Sequence, residues 1–146
     1  MSPELLTAAD YRTLLAFRTA LTRFLHWRSE QIQQAGLTPQ QHNLLLAVRA
    51  HPEGTGPSIR QIADQLVVQH HTAVGLVDRA QRAKLVCRGP DPDDRRLVRV
   101  RLTPKGRQVV RRLEASHKEE LRRIAPALGL IFGSLGQTPP EDRRSR

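Results

Sequence analysis

Two places in this chain gather side chains that can read a polyanion. Gln69-His70-His71-Thr72 sets an amide, two imidazoles and a hydroxyl at the start of an amphipathic segment. A glutamine amide can match an adenine edge, and a threonine offers a thymine its methyl or a phosphate its hydroxyl. Further on, Arg95-Arg96 closes the run Gly89-Pro90-Asp91-Pro92-Asp93-Asp94, which is too rich in Pro and Asp for regular structure. Two guanidinium groups therefore sit at the tip of a turn. Between Arg82 and Arg112 eleven basic residues face three acids, a net of +8 in a chain whose total is +10. A solvated helix face mixes its signs more evenly, so this density reads as a nucleic-acid footprint.

Other chemistries find little support. The chain has no Gly-rich phosphate loop, no nucleophile motif and no inward-facing carboxylate pair, so no enzyme activity and no cofactor are expected. Six histidines raise the question of a metal, but no His-x-x-x-His occurs. His70 and His71 point about 100° apart on a helix and cannot chelate together. No metal site is expected, and one of the two histidines should pack or meet a phosphate rather than read a base. The single cysteine, Cys87, excludes an intrachain disulfide and fits a reducing compartment. Its apolar neighbours suggest a structural thiol. The start, MSPELLTAADYR, carries Glu4 and Asp10 where a secretory signal would be basic. No apolar run nears the ~20 residues of a membrane span, so the expected setting is cytoplasmic, away from membranes.

The elements that must hold these groups are mostly helical. Aromatics make up 3% of the chain and Leu, Val and Ala dominate its apolar set, a balance that favours helices. At 146 residues it fits one domain. Tyr11, Leu14, Phe17, Leu21, Phe24 and Leu25 recur at helical spacing and predict a helix from Ala9 to about Gln34, stopped by Gly36. Arg18 and Arg28 fall on its apolar stripe, to lie along it or pair with a partner's acids. At about 38 Å this helix is longer than the domain needs, which suggests that part of its face meets another chain. Thr38-Pro39-x-Gln41 reads as a capping box opening a second helix, with Leu44, Leu45 and Val48 inward. The third runs from Ser58 to Leu66. After a break at Val67-Val68 a fourth runs from Gln69 to Ala83, with Ala73, Val74, Val77 and Ala80 buried. Leu85–Arg88 and Leu97–Leu102 read as strands, Val98, Val100 and Leu102 alternating with Leu97, Arg99 and Arg101. Thr103-Pro104 opens a last helix along Val110, Leu113, His117, Leu121 and Ile124. Pro126 should end or kink it before a short helix through Leu135.

This order, with LTPQQHNLLL at Leu37–Leu46, SIRQIADQL at Ser58–Leu66, VDR at Val77–Arg79 and LVCRGPDPDDRRLVRVRLTPKG at Leu85–Gly106, resembles the MarR family of bacterial winged helix–turn–helix regulators. The likeness covers about residues 10–135. It implies a mainly α fold with a small two- or three-stranded β-wing. A single domain spans 1–146: dimerisation helices at 9–36 and 104–135, the winged helix–turn–helix at 37–103 and a flexible tail at 136–146. It further implies a homodimer on double-stranded DNA, a sequence-specific and ligand-responsive repressor on a pseudo-palindromic operator. A sequence-tolerant architectural nucleic-acid-binding protein is the alternative. The residues carried over to DNA contact are Ser58, Gln69, His70, His71, Thr72, Gly75, Arg79, Arg95 and Arg96, with Asp94 bracing the wing. Trp27 and His42 are the candidates to line a pocket for a small aromatic or anionic effector. Two positions depart from the pattern: Ala80 stands for the usual Leu, and Lys84 for a Gly. Lys84 must either adopt the left-handed conformation or let the helix end differently.

Overall fold

The computed structural model describes residues 5–52 and 54–136. Among them five helices and two strands follow one another: α1 (Ala8–Gln34), α2 (Pro39–Ala50), α3 (Ile59–Leu66), α4 (His70–Arg82), β1 (Val86–Pro90), β2 (Val98–Leu102) and α5 (Pro104–Leu135). No described helix is long and apolar enough to cross a membrane. The contacts sort into two compact units, one of residues 28–117 and one drawn from the two ends of the chain, up to Trp27 and from Lys118.

The central unit is the winged helix–turn–helix. Its core takes Leu44 and Leu45 from α2, Ile62 and Ala63 from α3, Ala73, Leu76, Val77 and Ala80 from α4, and Leu85, Val86 and Val100 from the hairpin. The stripe expected on α4 is right at three positions. Leu76 takes the buried place assigned to Val74, which is only half-buried. Two helices begin as read: Thr38 and Gln41 form a reciprocal capping box on α2, and Ser58 and Gln61 do the same on α3.

Three helices end by one device. Leu37 N–H reaches Ile32 O and Gly36 N–H reaches Gln33 O at the end of α1; Val68 and Val67 repeat the pair on Ala63 and Asp64, and Leu85 and Lys84 on Ala80 and Gln81. This is the Schellman closure, which needs a left-handed residue at the pivot. Gly36 supplies it at φ 78°, but Val67 (55°) and Lys84 (61°) adopt it with a side chain. Lys84 therefore takes the left-handed alternative, and the wing leaves α4 as it would after a glycine.

The strands are antiparallel, Val86 facing Leu102 and Pro90 facing Val98. β1 thus extends through Gly89 and Pro90, which the sequence consigned to the loop. Pro90 terminates the ladder, where its missing N–H costs least. A third strand shrinks to one bridge, Ser58 to Arg99. Period two sends Val86 inward and Cys87 outward. Cys87 is exposed rather than structural.

α5 starts beneath the wing, where Gly106 N–H donates to Thr103 Oγ1 at 3.1 Å and that hydroxyl donates to Lys84 O at 2.6 Å. A Cβ on Gly106 would lie 2.1 Å from Leu85 O, so only glycine lets the helix seat there. The helix does not end at Pro126. α5 is helical from Pro104 to Leu135 with Pro126 inside it. The proline forfeits one rung, the bond to the carbonyl four residues before it, and the turns on either side continue.

In the end unit Phe17 meets Phe132 with ring centroids 5.7 Å apart. Tyr11, Leu15, Leu21, Leu25, Leu121 and Leu130 are left exposed on α1 and α5. The expected tail lies outside the described residues apart from Gly136.

Candidate nucleic-acid interface

The exposed start of α4 is the part of the central unit best suited to meet a groove. Gln69, His70 and His71 are exposed and Thr72 half-buried, while Ala73, Leu76 and Val77 anchor the opposite face. Both histidines point to solvent, so the packing role expected for one of them is not seen. Unlike α2 and α3, α4 has no side-chain cap: Gln69 occupies the N-cap without bonding back. The first amide groups of the helix therefore keep their donor capacity and partial positive charge for an outside acceptor. Together with Arg60, Asp64 and Val67, residues Gln69, His70 and Thr72 line one concave surface where α3 meets α4. Arg60 and Asp64, one turn apart on α3, were missed in the sequence because nothing marks which polar face of an amphipathic helix turns toward its neighbour.

The Val77-Asp78-Arg79 motif divides its labour. Val77 is fully buried. Asp78 accepts from Arg88 at 2.7 Å, while Arg88 also donates to Gln81 at 2.6 Å, so α4 is tied to β1. Arg79 is exposed, and its guanidinium lies 3.3 Å from where a Cβ on Gly75 would be. Gly75 therefore makes room for Arg79 rather than offering a contact of its own. Ser58 is occupied too, as the cap of α3.

In the wing the main brace is Asp91, not Asp94. Asp91 is 7% exposed. One carboxylate oxygen accepts the backbone N–H groups of Asp93 and Asp94, each at 2.8 Å, and the other accepts Arg99 Nε at 2.6 Å. The Arg99 guanidinium, followed by those two amides, holds the carboxyl below the usual carboxylate range. Asp94 orders only the local turn, accepting from Arg96 N at 3.0 Å and Arg96 Nε at 3.3 Å. Arg95 is exposed, and the Arg96 side chain is 92% exposed.

Part of the basic run also braces the fold. Arg99 also donates to Gln61 on α3, Arg101 to Thr55 O, Lys105 to Ala83 O and Arg107 to Leu102 O. These contacts tie the hairpin to α3, to the loop before it and to α5, while Arg101, Lys105 and Arg107 themselves remain solvent-exposed.

A second polar cluster lies in the same unit, built on His42. Arg28 Nη2 stands 2.8 Å from His42 Nδ1 and also donates to Asn43. A guanidinium only donates, so Nδ1 accepts and the imidazole proton resides on Nε2, which faces Glu114 Oε1. His117 Nδ1 is 3.5 Å from the same oxygen, and the two imidazoles meet edge to face at 5.1 Å. Burial pushes both histidines below the ordinary imidazole range, against the pull of Glu114. Arg28, expected to lie along its own helix or reach a partner, turns to α2 instead. Trp27 belongs to the end unit, where its ring lies 6.0 Å from that of Phe24.

Residues 35–97 match the profile of the MarR family. Over that stretch the chain is similar to the MarR family. A relative from Bacillus subtilis (strain 168), described as the uncharacterized HTH-type transcriptional regulator YsmB, is 34% identical over 65 residues, which is 44% of this chain and 44% of YsmB. The match thus spans less than half the length of that relative. Solved structures extend the likeness in fold to nearly the whole chain. A MepR variant from S. aureus, bound to an oligodeoxyribonucleotide, has a TM-score of 0.67 at 22% identity, covering 90% of this chain and 99% of its own. The YusO protein from Bacillus subtilis gives 0.68 at 20%, covering 91% and 99%. CouR from Rhodococcus jostii RHA1, bound to p-coumaroyl-CoA, gives 0.68 at 22%, covering 90% and 93%.

Proposed function

We propose that this chain is a MarR-type regulator, a homodimeric, sequence-specific DNA-binding repressor whose hold on a pseudo-palindromic operator weakens when a small aromatic or anionic effector binds. One observation carries the DNA part. The outward polar residues of α4 and the exposed guanidinium groups of Arg95 and Arg96 belong to one rigidly braced unit, while neighbouring arginines are spent on holding it together. In this reading Gln69, His70, His71 and Thr72 enter the major groove and Arg79 meets its edge. Arg96 enters the flanking minor groove, where a narrow groove concentrates negative potential. Two copies related by a two-fold axis would place their α4 helices in grooves about 34 Å apart, and an effector that alters this spacing releases the operator. The oligodeoxyribonucleotide held by the MepR variant and the p-coumaroyl-CoA held by CouR support both halves of the reading.

Fluorescence anisotropy on duplex from the chain's own upstream region tests it. Binding should survive excess random duplex, and Arg96→Ala should weaken it by about 10-fold, as for one lost groove contact, with the dimer intact. Equal loss to any duplex would favour a sequence-tolerant architectural protein, for which the net charge of +10 is the argument. The effector half is tested by calorimetry with small aromatic acids, in which Trp27→Ala should lose heat of binding that the parent shows.

A further inference from the structure

We propose that His42, Glu114 and His117 form a site for a divalent transition ion of the zinc class, and that Arg28 competes with the ion for His42. The donor atoms come from two helices of one unit. Glu114 and His117 are three residues apart on α5 and share a face, and α2 brings His42 against them. Their donor atoms all lie within 4.8 Å of one another. A tetrahedral zinc ion with bonds of about 2.0–2.1 Å holds its ligands about 3.3 Å apart. Glu114 Oε1 and His117 Nδ1 are already 3.5 Å apart, whereas Glu114 stands closer to His42 than such an ion allows. The carboxylate has to draw back, and its side chain is 34% exposed while the two imidazoles are 1% and 4% exposed. Two buried imidazoles and one carboxylate are a donor set that zinc takes in three-ligand protein sites.

Arg28 makes the site conditional. The proton of His42 sits on Nε2 because Arg28 donates to Nδ1 at 2.8 Å. An ion taken by Nε2 moves that proton to Nδ1, which then faces a guanidinium that can only donate. Ion binding therefore requires Arg28 to release His42, and Asn43, which already accepts from Arg28, offers it the alternative. The ion and the guanidinium are both cations set against His42, so each disfavours the other.

Zinc titration of the full chain, stripped with chelator beforehand and followed by calorimetry, tests this. One zinc per chain is expected, and cobalt in its place should give the visible bands of a four-coordinate ion. His42→Ala and His117→Gln should each weaken zinc by about 100-fold or more, beyond what losing an outer partner does. The double variant His70→Ala with His71→Ala should bind as the parent does. Arg28→Gln should bind about 10-fold more tightly, since it removes the competing charge. Failure of the parent to bind zinc saturably, or binding that survives both His42→Ala and His117→Gln, overturns the site. Unchanged or weaker zinc affinity in Arg28→Gln overturns the competition. If His42→Ala does not fold, His117→Gln and the cobalt spectrum still decide, and none of these readouts depends on DNA.

Discussion

At the scale of single residues, the wing shows how a carboxylate can matter more than the arginines beside it. Asp91 closes an Asx turn with two backbone amides and anchors Arg99, which in turn reaches α3 through Gln61. Removing it leaves a nearly buried guanidinium and two amides short of their acceptor, a costly kind of loss. Asp91→Asn should therefore lower the melting temperature more than Asp94→Asn, and only Asp91→Asn should loosen the wing in hydrogen exchange. The pH dependence has a definite sign. Its carboxyl titrates lower in the folded chain than in the unfolded one, where the value is about 3.9. Its contribution is thus complete above about pH 4 and is lost as pH falls through the lower, folded value. Thermal melts should show parent and Asp91→Asn converging in strong acid. A gap that stays constant down to that range would assign the effect to shape rather than charge. The sequence did not single out Asp91, because three acids in one short turn look alike until the fold shows which one faces β2.

At the scale of elements, starts were easier to read than ends. Capping boxes at Thr38 and Ser58 are local chemistry, fully written in four residues. Stops are less so: the Schellman closure at Gly36 announces itself, while those at Val67 and Lys84 are imposed by tertiary packing on residues that do not favour them. A left-handed residue with a side chain costs about 1–2 kcal/mol, and glycine returns roughly 0.5–1 kcal/mol of that through its greater freedom when unfolded. Lys84→Gly should accordingly stabilise the chain by about 0.5–1 kcal/mol in urea titration and leave operator affinity unchanged, since the wing already leaves α4 at the glycine-like angle. A loss of stability would mean that the Lys84 side chain has a compensating contact. Gly106→Ala goes the other way: the new methyl would meet Leu85 O, and the strain should cost about 1–3 kcal/mol or more. The same distinction explains the candidate sites. The outward face of α4 and the wing tip follow from local pattern. The cluster of His42, Glu114 and His117 joins positions 72 residues apart in the chain, which no search for a short histidine spacing could find.

At the scale of the whole molecule, the apolar residues left over on α1 and α5 bear on assembly. Leu15 is 66% and Leu130 79% exposed in the single chain. A side chain that touches little within its own chain can be replaced at a cost usually within about 0.5 kcal/mol of zero. In a homodimer that hides it, the same replacement puts a charge into an apolar interface. The pair Leu15→Glu and Leu130→Glu therefore separates the two cases. We expect the parent to sediment as a dimer with a melting temperature that rises with concentration. The double variant should sediment as a monomer whose circular dichroism keeps the helical content of the parent. Operator binding should then fall by about 100-fold or more, because the second half-site no longer comes with the first. If the variant stays dimeric, the exposed leucines lie off the interface and pairing uses another face of these helices. If it becomes monomeric yet binds the operator as tightly as before, each winged helix reads DNA alone, and the two-fold operator in the proposed function must be abandoned.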